Sequence, residues 1–202
     1  TANRLLPQVQ LTNTVINSGN GNVFYTGEEL DFQVKAVNVQ NQEGNAPDFR
    51  QPVIAVDLPG YTTLDADTGF MVYQTRRING EVQHVALTEG QDYTVEAVEV
   101  PAVESIQKGQ LIYSETETTT RYIFRFSEDI VLAPDTVDGA NSSLTIGYSA
   151  SIDYDKPSGQ INLYSPAYLS SLYQLPASLE NPLGLSFEGY QVSTQENEEL
   201  DD

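Results

Sequence analysis

Residues 25–39 read YTGEELDFQVKAVNV, and the order of apolar and polar side chains along them decides the fold class. Thr26-Gly27-Glu28 supplies a tight turn. After it, Leu30, Phe32, Val34 and Ala36 fall on one parity, and Asp31, Gln33 and Lys35 fall on the other. A period of two puts successive side chains on opposite faces of a strand, so this stretch reads as a half-buried strand of an antiparallel sheet. The apolar parity then slips to Val37 and Val39, which predicts a bulge or a move between sheets.

The same alternation recurs on both sides. Val9, Leu11 and Val15 form a first strand, ended by the turn-rich NSGNGN of residues 17–22. The run Pro52 to Gly60, PVIAVDLPG, reads as a short buried strand closed by a Pro-Gly turn. Phe70–Ile78 and Glu81–Leu87 flank Asn79-Gly80, a dipeptide suited to a two-residue hairpin turn because both positions accept positive φ. Asp92–Val100 alternates again. Lys108-Gly109 turns a second hairpin between Val98–Ile106 and Gln110–Glu117. Thr120–Phe126 alternates, and Ser143–Tyr154 puts Leu144, Ile146, Tyr148, Ala150 and Ile152 on one face. Lys156-Pro-Ser-Gly159 turns into Gln160–Tyr164, and Leu183–Val192 reads as the last strand.

One helix is expected near Pro166–Leu175. Ser165 is a suitable N-cap, proline is favoured at the first helical position, and Tyr168, Leu169, Leu172 and Tyr173 follow at helical spacing before Pro176. Many short strands, frequent turns and one short helix predict an all-β, antiparallel sandwich. Pro101 is a conceivable boundary, but no linker-like segment lies mid-chain, so residues 1–193 are read as one elaborated domain. Thr194–Asp202 is acidic, has no large apolar residue besides Leu200, and reads as a disordered tail or linker.

Composition narrows the function. The 202 residues carry 29 Asp and Glu against 9 Lys and Arg, a net charge of −20, which repels phosphate backbones and anionic membrane surfaces. Nucleic acid is therefore an unsuitable partner. No apolar run reaches membrane-spanning length, so membrane insertion is not expected, and no signal peptide is visible. The absence of Cys excludes disulfides and thiolate metal sites.

Three segments then carry a resemblance: YTGEELDFQVKAVNV, PVIAVDLPGYTTL at Pro52–Leu64 and SSLTIGYSASID at Ser142–Asp153. In this order they resemble the immunoglobulin-like repeats of bacterial surface proteins, namely adhesin stalks and fimbrial isopeptide-forming domains. Those repeats place a Gly-acidic turn before a long alternating strand, a Leu-Pro-x-Gly turn after the next strand, and an alternating Leu-Thr-Ile-x-Tyr strand near the end. The likeness covers residues 9–64 and 120–165, and residues 66–119 read as inserted hairpins. It implies an immunoglobulin-like sandwich that is extracellular, structural or adhesive, and without catalysis. Its partners would be neighbouring domains or subunits of a surface assembly, or a host or matrix protein or glycan. It also implies an isopeptide cross-link to look for. Lys35 and Asn162 would be the joined residues, with Glu28 or Asp31 as the assisting acid. The first-strand lysine of one branch is absent, and Arg4 stands in that region.

Calcium is the second expectation, as the one candidate cofactor. Hard cations take several oxygens from acidic loops. Asp65 and Asp67 form one such group, Asp135 and Asp138 another beside Glu128-Asp129, and Asp153 and Asp155 a third. None has the spacing of the twelve-residue calcium loop, and Asp also favours turns in its own right. The single histidine, His84, stands without a nucleophile motif, and no phosphate loop, dinucleotide fingerprint or zinc motif occurs. There are 12 Tyr and no Trp. Tyr113, Tyr122, Tyr164, Tyr168 and Tyr173 would gather near the helix, as a packing cluster or as a ligand platform.

Overall fold

In the computed structural model, residues 9–39, 48–134, 142–155, 159–171 and 189–193 are described. Fifteen strands run through them in chain order. They are β1 (Val9–Val15), β2 (Val23–Tyr25), β3 (Glu29–Asn38), β4 (Phe49–Arg50), β5 (Pro52–Asp57), β6 (Thr62–Leu64), β7 (Met71–Ile78) and β8 (Glu81–Ala86). There follow β9 (Tyr93–Gln107), β10 (Gln110–Phe126), β11 (Val131–Leu132), β12 (Ser143–Ile152), β13 (Gln160–Tyr164), β14 (Ala167–Ser171) and β15 (Gly189–Ser193).

Two antiparallel sheets face each other. The first has the order β1-β3-β12-β7-β8, with β6 also on β12, and the second has the order β14-β5-β10-β9. Two small sheets, β11-β4 and β13-β15-β2, close the rims, and β15 runs parallel to β2. The core lies between the large sheets. Leu30, Phe32, Val34 and Ala36 of β3 and Leu144, Ile146 and Ala150 of β12 pack into one cluster with Ile54, Val56, Phe124 and Leu169 from the opposite sheet. Burying such side chains stabilises by roughly 1.5–3 kcal/mol each, which makes this face the main source of cohesion. The all-β sandwich read from the period-two pattern is therefore the observed architecture.

The parity slip at the end of β3 is not a bulge. Pairing with β1 continues without a break to Asn38 opposite Val9. The inward position is taken by Asn38 itself, fully buried, whose side-chain amide donates to the Leu132 carbonyl at 3.0 Å. Val39 is left exposed. A buried amide is tolerated because its hydrogen bond is made, and apolar counting alone does not see it.

The helix expected near Pro166–Leu175 is corrected where it can be seen. Ala167–Ser171 is a strand, paired residue by residue with Val56–Pro52. Every residue of it is buried: Ala167 and Leu169 face the main core, and Tyr168 joins Val53, Ala55 and Ile123 on the other face of the sheet. A segment buried on both faces shows no period, so the three- and four-residue spacing was coincidence. Ser165 caps nothing. Its hydroxyl donates to the Asp57 carbonyl, and the Pro166 carbonyl accepts the Asp57 amide. Tertiary pairing overrides the local helix signal. Residues 172–175 and the expected tail fall outside the described residues.

The inserted region forms two hairpins on different sheets, as expected: β7 and β8 turn at Asn79-Gly80 in the first sheet, and β9 and β10 form a longer ribbon in the second. β9 and β10 pair from Tyr93–Phe126 to Gln107–Gln110, turning at Lys108 (φ 52°) and Gly109 (φ 77°). Between the pairs Pro101–Thr118 and Val103–Tyr113, β10 carries four residues against one in β9. Ser114 holds this wide bulge from inside: its hydroxyl accepts the amides of Thr116 at 3.2 Å and Glu117 at 2.9 Å. The ribbon bends there. Tyr113 is ten residues from Ile123, about 33 Å in an extended strand. Its hydroxyl nevertheless lies 3.2 Å from that of Tyr168, only two strands across from Ile123.

Candidate functional site

A continuous polar chain crosses the sandwich from the first strand to the bent ribbon. Asn13 occupies an inward position of β1 between Leu11 and Val15 and is buried. Its side-chain amide donates to the Ser165 carbonyl at 2.9 Å and to the Ser165 hydroxyl at 3.0 Å. That hydroxyl donates to the Asp57 carbonyl at 2.7 Å. Asp57 ends β5, 1% exposed, and its carboxylate accepts a two-pronged ion pair from Arg121, Nε at 2.7 Å and a terminal nitrogen at 3.1 Å. The Arg121 guanidinium sits 4.8 Å from the centroid of the Tyr168 ring, and the Tyr168 hydroxyl meets Tyr113.

Each link has a sequence reason. Asp57 is the first charge after the apolar run PVIAV and therefore lands where β5 leaves the core. Arg121 stands directly opposite it on β10, and a cross-strand pair of opposite charge is the sheet's natural pairing. The planar guanidinium matches a carboxylate with two parallel hydrogen bonds and stacks on an aromatic face, which Lys cannot do. Burial pushes the Asp57 carboxyl above the ordinary aspartate range, and Arg121 pulls against that shift. Burial also raises the phenol of Tyr168, with the nearby Asp57 charge adding to it. The Tyr148 phenol is raised by burial too.

The chain of contacts links strands far apart in sequence: Asn13 and Ser165 are 152 positions apart. A second tie joins the ends of the fold, where the Val15 amide donates to the Tyr190 hydroxyl of β15 at 3.2 Å. Two inward amides brace the rim: Asn38 on the Leu132 carbonyl, and Gln74 on the Val131 carbonyl at 2.9 Å. These groups tie strands to one another. They do not form a nucleophile-and-base arrangement, and His84 meets a hydroxyl (Thr75, 2.8 Å) and a ring (Tyr73) on an exposed strand.

The residues expected to form sites lie elsewhere. Lys35 is exposed on β3 between Thr12 and Thr145, Asn162 is exposed on β13 opposite Gln191, and Glu28 is exposed in the turn before β3. Lys35 and Asn162 belong to different sheets. Asp31 accepts the Ser149 hydroxyl at 2.6 Å. Both described lysines, Lys35 and Lys108, are exposed.

Asp65 and Asp67 sit in an excursion between β6 and β7, which lie end to end along one edge of β12. The Asp65 carboxylate accepts the amides of Asp67 at 3.0 Å and Thr68 at 3.4 Å, so it shapes the turn. Asp135 and Asp138 fall outside the described residues. Among the described residues no group of three or more His, Asp or Glu side chains is arranged to hold a metal ion. Of the five tyrosines expected to gather, Tyr113 and Tyr168 meet, while Tyr122 packs on Phe70. Tyr173 lies outside the described residues.

Sequence reasoning missed Asn13, Asp57, Arg121 and Ser165. One signal was available: a lone Asn at an inward position of β1, and a lone Asp closing an apolar run, are both polar residues that burial obliges to find partners.

No family model matches the chain, and no curated protein matches it. Among solved structures it is similar to ACE19, the collagen-binding subdomain of the Enterococcus faecalis surface protein ACE, at 14% identity and TM-score 0.43. That match covers 95% of this chain and all of that one. It is similar to the C-terminal domain of the Streptococcus agalactiae AgI/II polypeptide BspA at 14% identity and TM-score 0.48, over 93% of this chain and 50% of that one. It is also similar to AvmM, which catalyses macrocyclization in alchivemycin A biosynthesis, at 10% identity and TM-score 0.33, over 94% and 91%. Surface proteins are the class the sequence motifs resemble. At these identities and TM-scores the matches assign no function, and even a shared architecture hosts unrelated functions.

Proposed function

We propose that the chain is a non-catalytic structural or adhesive module of a bacterial surface or fimbrial protein, outside the cell, acting as a stalk or presenting a binding region. One observation carries this reading: the described chain enters at one end of the sandwich and leaves at the other. β1 begins with Val9 opposite Asn38, the last residue of β3. β15 ends with Ser193 opposite Tyr25, whose carbonyl accepts the Glu28 amide just before β3 begins. The ten residues of β3 lie between these points, roughly 30 Å of strand.

Tension applied at the two ends would run along β1 and β3, so their ladder bonds would be sheared together instead of unzipped singly. The Asn13–Ser165 and Val15–Tyr190 ties add cross-links between the strands that take the pull. Force spectroscopy with handles at residues 9 and 193 tests this. One abrupt rupture that releases the whole sandwich is expected. Sequential low-force peeling of β1 or β15 would overturn it.

A calcium-braced, ligand-binding version of the same module would take its ions at the acidic loops. Thermal melts in calcium and in chelator separate the two, because an ion held only by the folded state raises the midpoint by mass action.

A further inference from the structure

We infer that the bend of the β9–β10 ribbon creates a receptor for a lysine or arginine side chain of a partner polypeptide. Where the bulge meets the middle of β13, it borders a partly open pocket of about 330 Å³. Val103 and Leu163, both buried, form apolar walls. Glu104, Glu117 and the exposed Asn162 amide line the same space, and no cationic residue does. Apolar walls with carboxylates suit a ligand with an aliphatic stem and a cationic head, the chemistry of Lys and Arg. The protein's net charge of −20 favours the approach of such a partner.

The pocket depends on specific local features. Glu104 is itself an extra residue in β9, since Val103 pairs with Tyr113 while Ser105 pairs with Ile112. The four-residue bulge of β10 brings Glu117 to the same place. Gly60 allows the approach: a Cβ there would stand 3.2 Å from Ala102 Cβ and 3.3 Å from Glu117 Cγ. The volume of about 330 Å³ lies at the small end of the range for ligand pockets and is ample for one long side chain. This inference goes beyond the stalk reading and does not depend on it.

The test is amide-resolved NMR titration of the full chain with Nα-acetyl-lysine methylamide, and in parallel with Nα-acetyl-norleucine methylamide, which keeps the stem and lacks the charge. Saturable shifts at Gly60, Val103 and Leu163 with the lysine probe, weakened about tenfold in E104Q/E117Q, are expected, as for loss of a charge-assisted contact. Retained spectral dispersion shows that the variant is folded, and the single variants E104Q and E117Q serve if the double variant is not. Equal shifts with both probes, shifts scattered over the acidic surface, shifts produced by calcium alone, or no shifts would each overturn the inference.

Discussion

Arg121 neutralises Asp57, which among the described residues is the one carboxylate buried below a tenth exposure. Removing one partner of a buried pair leaves the other charge uncompensated, at a cost of about 3–5 kcal/mol. Arg121→Leu should therefore lower the unfolding free energy by that amount in urea titrations near neutral pH. The loss should shrink in acid, since burial already favours the protonated Asp57 and the lone carboxyl would take up its proton. An equal loss at both pH values would show that Arg121 matters through its packing on Tyr168 instead. Asn13 illustrates the same rule without charge. It is a polar side chain in a core position, and its place is justified by the two hydrogen bonds it donates to Ser165.

At the scale of elements, β14 is the segment where local signals and structure disagree, and its register can be tested directly. Asp57 donates its backbone amide to the Pro166 carbonyl, which makes the neighbouring pair Val56–Ala167 a close, non-hydrogen-bonded pair, about 4.5 Å between Cα atoms. That spacing falls within the range a disulfide spans. The chain has no other cysteine, so Val56→Cys with Ala167→Cys should oxidise quantitatively to an internal disulfide, detected by thiol titration, without loss of strand signal. A helix at 166–175 would separate these positions, and two persistent free thiols would contradict the strand. The bent ribbon was only half legible. Alternation and the Lys108-Gly109 turn announce strands, but the bulge depends on Ser114 meeting two amides within the folded ribbon, a contact with no sequence period.

For the whole molecule, the surplus of acid has a local consequence at the head of β3. Partial desolvation raises the Glu29 carboxyl above its ordinary value, and the charge and hydrogen bonding of Asp65, with the charge of Asp31, add to the shift. A carboxyl raised in the folded state holds its proton more tightly there than in the unfolded chain. The stability it contributes is full below the unfolded value, near 4.3, and is lost as pH rises through the folded value. Glu29→Gln should therefore raise the thermal midpoint at about pH 7 and leave it nearly unchanged at about pH 4. A gain of equal size at both pH values would refute the assignment.

The sequence by itself determined the class of this protein. Period-two burial in β3 and β12, the Asn79-Gly80 and Lys108-Gly109 turns, and the all-apolar PVIAV run can be satisfied only by sheets that bury a face, because a strand's side-chain period is a property of the backbone. The tertiary structure decided the rest: that Ser165-Pro166 opens a strand, that Asn38 fills an inward place, and that Asn13, Asp57 and Arg121 join in one chain of contacts. Those outcomes depend on partners between 64 and 152 positions away for these links, and a buried polar group is stabilised only by the neighbour that completes its hydrogen bonds.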